Sequence, residues 1–240
     1  MRDLGQQDLP LRKRLTHGGA RPGAGRPKKP DAGVPHEKRP RITRHHPAHV
    51  TLRVRESLPS LRGRGRHEII ERALAGVLGR TGFRVVHYSI QTNHLHLLVE
   101  AADAASMSRG MQALAIRIAK NLNAAARRSG QVFRDRYHAR VLRTPTDMRH
   151  ALCYVLQNFR RHATDDGRIV DPGWLDPRSS AALFDGWREG SPTARGAVAC
   201  TSPGSTWLVT VGWRRRGLIR IDEVPRGVWR DRRRARGRGP

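Results

Sequence analysis

A histidine on either side of a leucine, at His94-Leu95-His96, is the first place in this sequence where side-chain types and spacing could do chemistry. In a strand, successive side chains alternate between faces, so these two imidazoles point one way while Leu95, Leu97 and Val99 point the other. Two nitrogen donors on one face can ligate a single cation together; the plainer alternative is a pair of half-buried histidines at a sheet face. A second constellation lies further along. Met148, Leu152, Val155 and Phe159 recur at helical spacing and must face a core, which leaves His150, Tyr154 and Asn158 on the opposite stripe. Tyr154 and Asn158 are four residues apart, which stacks a phenol beside an amide oxygen on one helix face. A phenol that loses its proton is a nucleophile, so Tyr154 is the candidate for covalent chemistry. Tyr137 is its rival but lacks an amide partner at helical spacing, and Tyr88 reads as a packing residue.

The elements that must carry these residues follow from local pattern. His49 to Val54 alternates as a strand, and residues 66–80 place Ile69, Ile70, Ala73, Leu74, Val77 and Leu78 at helical spacing. Strands over about 83–91 and 94–100 are joined by a tight turn at Thr92-Asn93. A long helix over 105–128 has Met107, Met111, Leu114, Ile118 and Leu122 on one stripe and Arg109, Arg117, Lys120 and Arg127 on its other side. A fourth strand, about 136–143, precedes a helix over 146–163 that Thr144-Pro145 opens. The order β-α-β-β-α-β-α predicts an α+β fold: a ferredoxin-like or RNA-recognition-motif-like antiparallel sheet with helices on one face, plus the tyrosine-bearing helix. Four regions are expected: a disordered basic arm over 1–45, a catalytic domain over 46–165, an extension over 166–229 packed on that domain, and a basic tail over 230–240. In the extension, Trp174, Phe184, Trp187, Trp207 and Trp213 suggest core filling, and a short helix fits Ser179 to Arg188.

Charge names the partner class. Lys and Arg number 47 against 20 Asp and Glu, a net charge of +27, and self-repulsion on that scale is relieved by a polyanion. Nucleic acid is the default partner for such a field, and an arginine excess suits bidentate contact with phosphate. A ribosome-like or membrane-surface protein is the competing class. In the arm, Arg26-Pro27-Lys28-Lys29 after Gly25 resembles an AT-hook, a short peptide that lies in the minor groove; Arg26, Lys28 and Lys29 would be its contacts, and a solvated basic linker is the alternative. Arg134, Arg136, His138 and Arg140 beside the fourth strand are candidate phosphate contacts, with a solvated basic edge as the alternative; Arg117, Lys120 and Arg161 join the candidate DNA contacts. Cys153 and Cys200 fit neither a metal spacing nor a disulfide framework, and no apolar run approaches the ~20 residues of a membrane span. With no signal-peptide core at its start, the chain is expected in the cytoplasm, at the nucleoid of a bacterium, as a monomer or homodimer.

Residues 93–100, the Val132-Phe133-Arg134-Asp135-Arg136-Tyr137-His138 stretch and Tyr154-Val155-Leu156-Gln157-Asn158 together resemble the single-tyrosine HUH transposases, and within them the REP-associated tyrosine transposases. The resemblance covers about residues 45–165. It implies a ferredoxin-like catalytic domain, Mg²⁺ or Mn²⁺ as cofactor, and single-stranded DNA hairpins from inverted repeats as substrate. It also implies attack by Tyr154 to give a 5′-phosphotyrosine and a free 3′-hydroxyl, with His94, His96 and the side-chain oxygen of Asn158 around the ion. Relatives usually carry Pro directly after the Asn, where this chain has Phe159, so the helix is expected to run on through Arg160, Arg161 and His162. The general base is not evident; His150, one turn before Tyr154, is a candidate. Two rivals stand beside this reading. One is a catalytically silent binder of DNA or RNA hairpins on the same fold, against which count the 5% aromatic content and the histidines where stacking rings are expected. The other is a replication or mobilisation nickase, against which count the tyrosine lying 58 residues after His96 and the lack of a GxxxxGK[ST] loop.

Overall fold

Strict alternation builds the central strands, and the computed structural model, which describes residues 41–190 and 200–225, shows where each face goes. Strand β1 (Ala48–Arg53) lies between β3 (His94–Ala101) and β4 (His138–Val141), and β3 pairs on its other side with β2 (Phe83–Ile90). All three pairings are antiparallel, in the order β2-β3-β1-β4. This is the sheet of the ferredoxin-like arrangement. The β2–β3 turn is tight, Gln91 N donating to His94 O at 2.9 Å around Thr92-Asn93. β4 is shorter than the pattern suggests. The chain reaches the sheet earlier, through a bridge between Val54 and Phe133 and a bond from Arg134 N to Arg53 O, and only residues 138–141 pair as a strand.

One face of the sheet is apolar throughout. Val50, Leu52, Leu95, Leu97 and Val99 meet α1 (Arg66–Ala75) and α2 (Ala104–Ala125) there. The α2 stripe of Met107, Met111, Leu114, Ile118 and Leu122 is buried as its spacing requires. Gly110 lets α2 sit directly on Phe83, since a Cβ there would come within 2.1 Å of the ring. Both helices end before their apolar pattern does. α1 stops at Gly76, leaving Leu78 39% exposed, and α2 stops before Arg127, whose φ of 47° is left-handed.

The opposite face is covered as well, by the tyrosine-bearing helix and by the C-terminal extension. α3 (Pro145–Leu156) lies across it, its N-terminus capped by Thr144, whose hydroxyl accepts from Asp147 N. Leu98, Val86, Met148, Leu152 and Val155 form a second core there with Phe184, Trp187, Trp213 and Ile219 of the C-terminal extension. The extension contributes a 3-10 turn at Ser180–Leu183, a single helical turn α5 (Trp207–Thr210) and a 3-10 turn at Gly212–Arg216. Two of its aromatics stay out of that core: Trp207 is 47% exposed, and Trp174 packs on Phe159.

The tyrosine helix does not run through to residue 163. It breaks at Gln157 (φ −112°, ψ 17°), and a separate helix α4 (Asn158–Asp165) follows. The break has a tertiary cause. Gln157 is buried and its side-chain amide donates to the carbonyls of Arg220 and Ile221, which ties the turn to the extension. Phe159 accordingly leaves the apolar stripe and sits against Trp174 and the Arg62 guanidinium. Order also begins earlier than the basic-arm boundary at 45: Ile42 is buried in the first core and Thr43 bridges to Asp103. The AT-hook-like Arg26, Lys28 and Lys29 and the tail over 230–240 lie outside the described residues. Among the described residues, no helix is long and apolar enough to cross a membrane.

Candidate active site

The second face of the sheet buries histidines where the first buries leucines. His94 and His96 leave β3 on this side, and the β1–β3 register places Thr51 opposite His96, with His49 one pleat further along. The Nε2 atoms of His94 and His96 stand 2.9 Å apart. Each ring is held from its other nitrogen. His94 Nδ1 lies 2.8 Å from Asn93 Oδ1, and His96 Nδ1 lies 3.1 Å from His49 Nε2 and 3.3 Å from Thr51 Oγ1. With Nδ1 of His94 donating to Asn93, its Nε2 carries a lone pair aimed at His96.

Burial keeps the three imidazoles neutral. It lowers the His49 pKa to about 3, helped by the charges of His138, Arg140 and His94. It lowers His94 to about 4, with His162 and Arg53 adding to the effect. His96, 4% exposed, is pushed well below the usual histidine range by burial and then by His49, His94 and His162. A neutral imidazole is the form that ligates a metal.

α3 brings Tyr154 onto this cluster. Its ring meets His96 edge-on at 5.0 Å between centroids and His49 at 5.7 Å. Burial raises the phenol's pKa above its ordinary value, while the neighbouring Asn158 amide and the Arg161 charge pull the other way. Asn158 survives as a neighbour because the helix break at Gln157 still turns it inward; its side chain is 1% exposed. Its nitrogen and oxygen lie near the phenol, but neither makes a hydrogen bond of good geometry, and both are buried and unpartnered. Leaving such an amide unsatisfied costs about 1–3 kcal/mol per group, so the fold carries an expense at this spot that packing alone does not explain.

The donor set fits a hard divalent ion. Cis ligands of an octahedral ion with bonds of ~2.1 Å lie about 3 Å apart, which matches the 2.9 Å between the two Nε2 atoms, and the buried, unpartnered Asn158 oxygen on α4 is the candidate for a third donor. Among the described residues, no group of three or more His, Cys, Asp or Glu is placed to hold a metal. An ion here would therefore rest on two imidazoles and an amide, with the remaining positions left to substrate oxygens and water.

The other candidate residues are distributed unevenly. His138 and Arg140 lie on β4 in register with Thr51 and His49, at the rim of the cluster, and Arg140 also pairs with Asp147 at 3.5 Å. Arg161 borders Tyr154 while bonding Asp165 at 2.9 Å and the Pro225 carbonyl at 3.3 Å. Arg134 is turned to Glu56 at 3.3 Å, and Arg136 is exposed on the approach to β4. Arg117 and Lys120 are not brought to the site: they are exposed on α2, in the layer across the sheet. His150 is exposed on α3, one turn from the phenol. Both rival tyrosines belong to the apolar face. Tyr88 is buried there and donates to Glu71, and Tyr137 packs against the same core. His49 and Thr51 were not singled out by the sequence, although strand alternation puts them on one face of β1; only the pairing with β3 shows that this face is the histidine face.

Residues 43–154 match the family described as Transposase IS200 like. A comparison with curated proteins finds no match. Among solved structures, one described as "Structure of the REP associates tyrosine transposase bound to a REP hairpin" aligns with a TM-score of 0.49 and 17% identity, over 72% of this chain and 93% of that one.

Proposed function

We propose, from the match of residues 43–154 to the IS200-like transposase family and from the geometry above, that the chain cleaves and rejoins single-stranded DNA, bearing hairpins, with Tyr154 as nucleophile. The observation that carries this reading is the convergence of Tyr154 on the His94 and His96 rings, with the unpartnered Asn158 beside the phenol, from three separate elements, β3, α3 and α4. Mg²⁺ or Mn²⁺ would be held by His94 Nε2, His96 Nε2 and Asn158 Oδ1, and when bound it offsets the charge of a scissile phosphate that otherwise repels a nucleophile.

The protein's own groups do the rest. Asn93, Thr51 and His49 fix the two ligand rings through their Nδ1 atoms, the outer support on which ligand orientation depends. Burial holds the phenol protonated in the resting protein, and Arg161 with Asn158 lowers the cost of removing that proton. The Tyr154 oxygen forms a bond to phosphorus as the P–O3′ bond breaks. The phenolic proton passes to solvent and the departing 3′-oxygen takes one up, leaving a 5′-phosphotyrosine and a 3′-hydroxyl. The phosphotyrosyl ester retains the energy of the broken bond, so rejoining needs no nucleotide triphosphate. His138 and Arg140 at the rim of the cluster are placed to steer the backbone phosphates.

The test uses the full chain, a labelled hairpin-bearing single strand and Mn²⁺. The intact protein forms a covalent adduct that survives denaturation. His96→Ala loses it while keeping most of its DNA affinity, because backbone charge dominates binding. A silent hairpin binder would bind the same DNA with no adduct under any metal, and that result would overturn the proposal.

A further inference from the structure

Beyond the histidine cluster, a second site forms where β1 and α3 begin. Arg44, His45 and His46 lead into β1, and Arg143 and Pro145 open α3. Ser205, Thr206, Trp207 and Leu208 from the extension close a cleft of about 740 Å³ against them. That volume falls within the range of ligand-binding clefts. No carboxylate lines it. Arg44 and Arg143 are exposed and, among the described residues, neither is in a salt bridge.

The aromatic wall is unusual for this chain. Trp187 and Trp213 are almost fully buried, while Trp207 keeps 47% of its surface in solvent, with the Arg215 guanidinium 5.1 Å from its ring centroid. The position is built rather than frayed. Beneath it Glu100, 4% exposed, accepts from the backbone nitrogens and hydroxyls of both Ser205 and Thr206 at 2.7–3.2 Å. Gly212 lies so close under the ring that a Cβ there would sit 2.6 Å from it. A large, half-exposed apolar ring beside exposed arginines that have no carboxylate partner, Arg44 donating only to the His45 ring at 3.2 Å, is the arrangement that stacks a base and holds its phosphate. Trp207 and its neighbours also lie outside the family segment 43–154, so the family likeness does not account for this wall.

We propose that this cleft binds one nucleotide of the single-stranded DNA, its base on Trp207 and its phosphates at Arg44 and Arg143. The proposal rests on the DNA reading given above and adds a place on the strand. Pro145 and Tyr154 are joined by nine residues of one helix, about 13 Å at 1.5 Å per residue. The bound nucleotide therefore lies a few nucleotides along the strand from the scissile phosphate.

The test is fluorescence anisotropy of the full chain with a labelled single-stranded oligonucleotide, scanned by moving one abasic position along it. Trp207→Leu weakens binding about tenfold, Trp207→Phe restores most of it, and one abasic position costs the intact protein the same factor while costing Trp207→Leu nothing further. Arg143→Ala lowers the slope of log affinity against log salt by about 1; Trp207→Leu leaves the slope alone. A duplex of equal length shows no dependence on residue 207. Equal affinity of Trp207→Leu and the intact protein, or an abasic penalty indifferent to residue 207, overturns the proposal. Should Trp207→Leu not fold, the abasic scan of the intact protein, with one position costing about tenfold and the others little, and the salt slope of Arg143→Ala read the same two quantities. Tyr154→Phe keeps the Trp207 effect, so loss of the cleavage reading and loss of this one are distinguishable.

Discussion

The two faces of one sheet follow opposite rules. Toward α1 and α2, Val50, Leu52, Leu95, Leu97 and Val99 meet the Met107–Leu122 stripe, and the core there is apolar. Toward α3, the same strands present His49, Thr51, His94 and His96, and the covering elements add Tyr154 and an unsatisfied Asn158. A single residue of offset along a strand separates the residues of the apolar core from those proposed to do the chemistry. The second face is an expense the first face sustains: buried neutral histidines and an orphaned amide cost stability, and they persist where chemistry needs desolvated donors held in place.

The comparison can be broken first at its strongest point. Leu97→Ala, on the apolar face, should destabilise the fold by about 2–5 kcal/mol, read as a shift of the urea midpoint; a loss under 1 kcal/mol would mean that this face is not the foundation. Glu100→Gln should come next, at about 1.5–3 kcal/mol, because the carboxylate accepts five bonds that hold residues 205–206. Its second readout is a weakened contribution from Trp207. Asn158→Leu should behave oppositely to Leu97→Ala: stability unchanged or raised by about 1 kcal/mol, since it removes two buried unpartnered atoms, yet no DNA cleavage. A marked loss of stability in that variant would show Asn158 to be a structural residue.

The smallest effect is at the edge of the second face, where Glu223 and Arg149 bond at 2.8 Å and fasten the extension to α3. Burial raises the Glu223 pKa, but the Arg149 hydrogen bonds and charge outweigh it and hold it below 4.5. A depressed carboxylate contributes stability at pH values above its unfolded value and loses that contribution as pH falls through its folded value. Glu223→Gln should therefore cost about 0.5–1 kcal/mol at neutral pH, with the difference from the intact protein vanishing as the pH drops below 4.5. A difference that persists in acid would assign the effect to packing.

What could be read from the sequence was whatever local periodicity encodes. Alternation put His94 and His96 on one face, and helical spacing put Tyr154 and Asn158 together, because both relations hold within a few residues. His49 escaped because its partner is 47 residues away and only the β1–β3 register joins them. The break at Gln157 escaped because its cause is a pair of carbonyls at Arg220 and Ile221, more than sixty residues downstream. The place where the extension packs was hidden for a related reason. The extension has no long periodic element and attaches through single residues, Phe184, Trp187, Trp213 and Ile219, whose aromatic or branched character announces burial but not a destination.

The central claim is that Tyr154, and no other tyrosine, carries the strand. Trapping the full chain on hairpin-bearing single-stranded DNA with Mn²⁺, then digesting with trypsin and nuclease, should leave a nucleotide on the peptide spanning residues 150–160, which contains Tyr154 alone among the three tyrosines. A nucleotide on the peptide of Tyr137 or Tyr88, or DNA cut with none of the peptides modified, would contradict it.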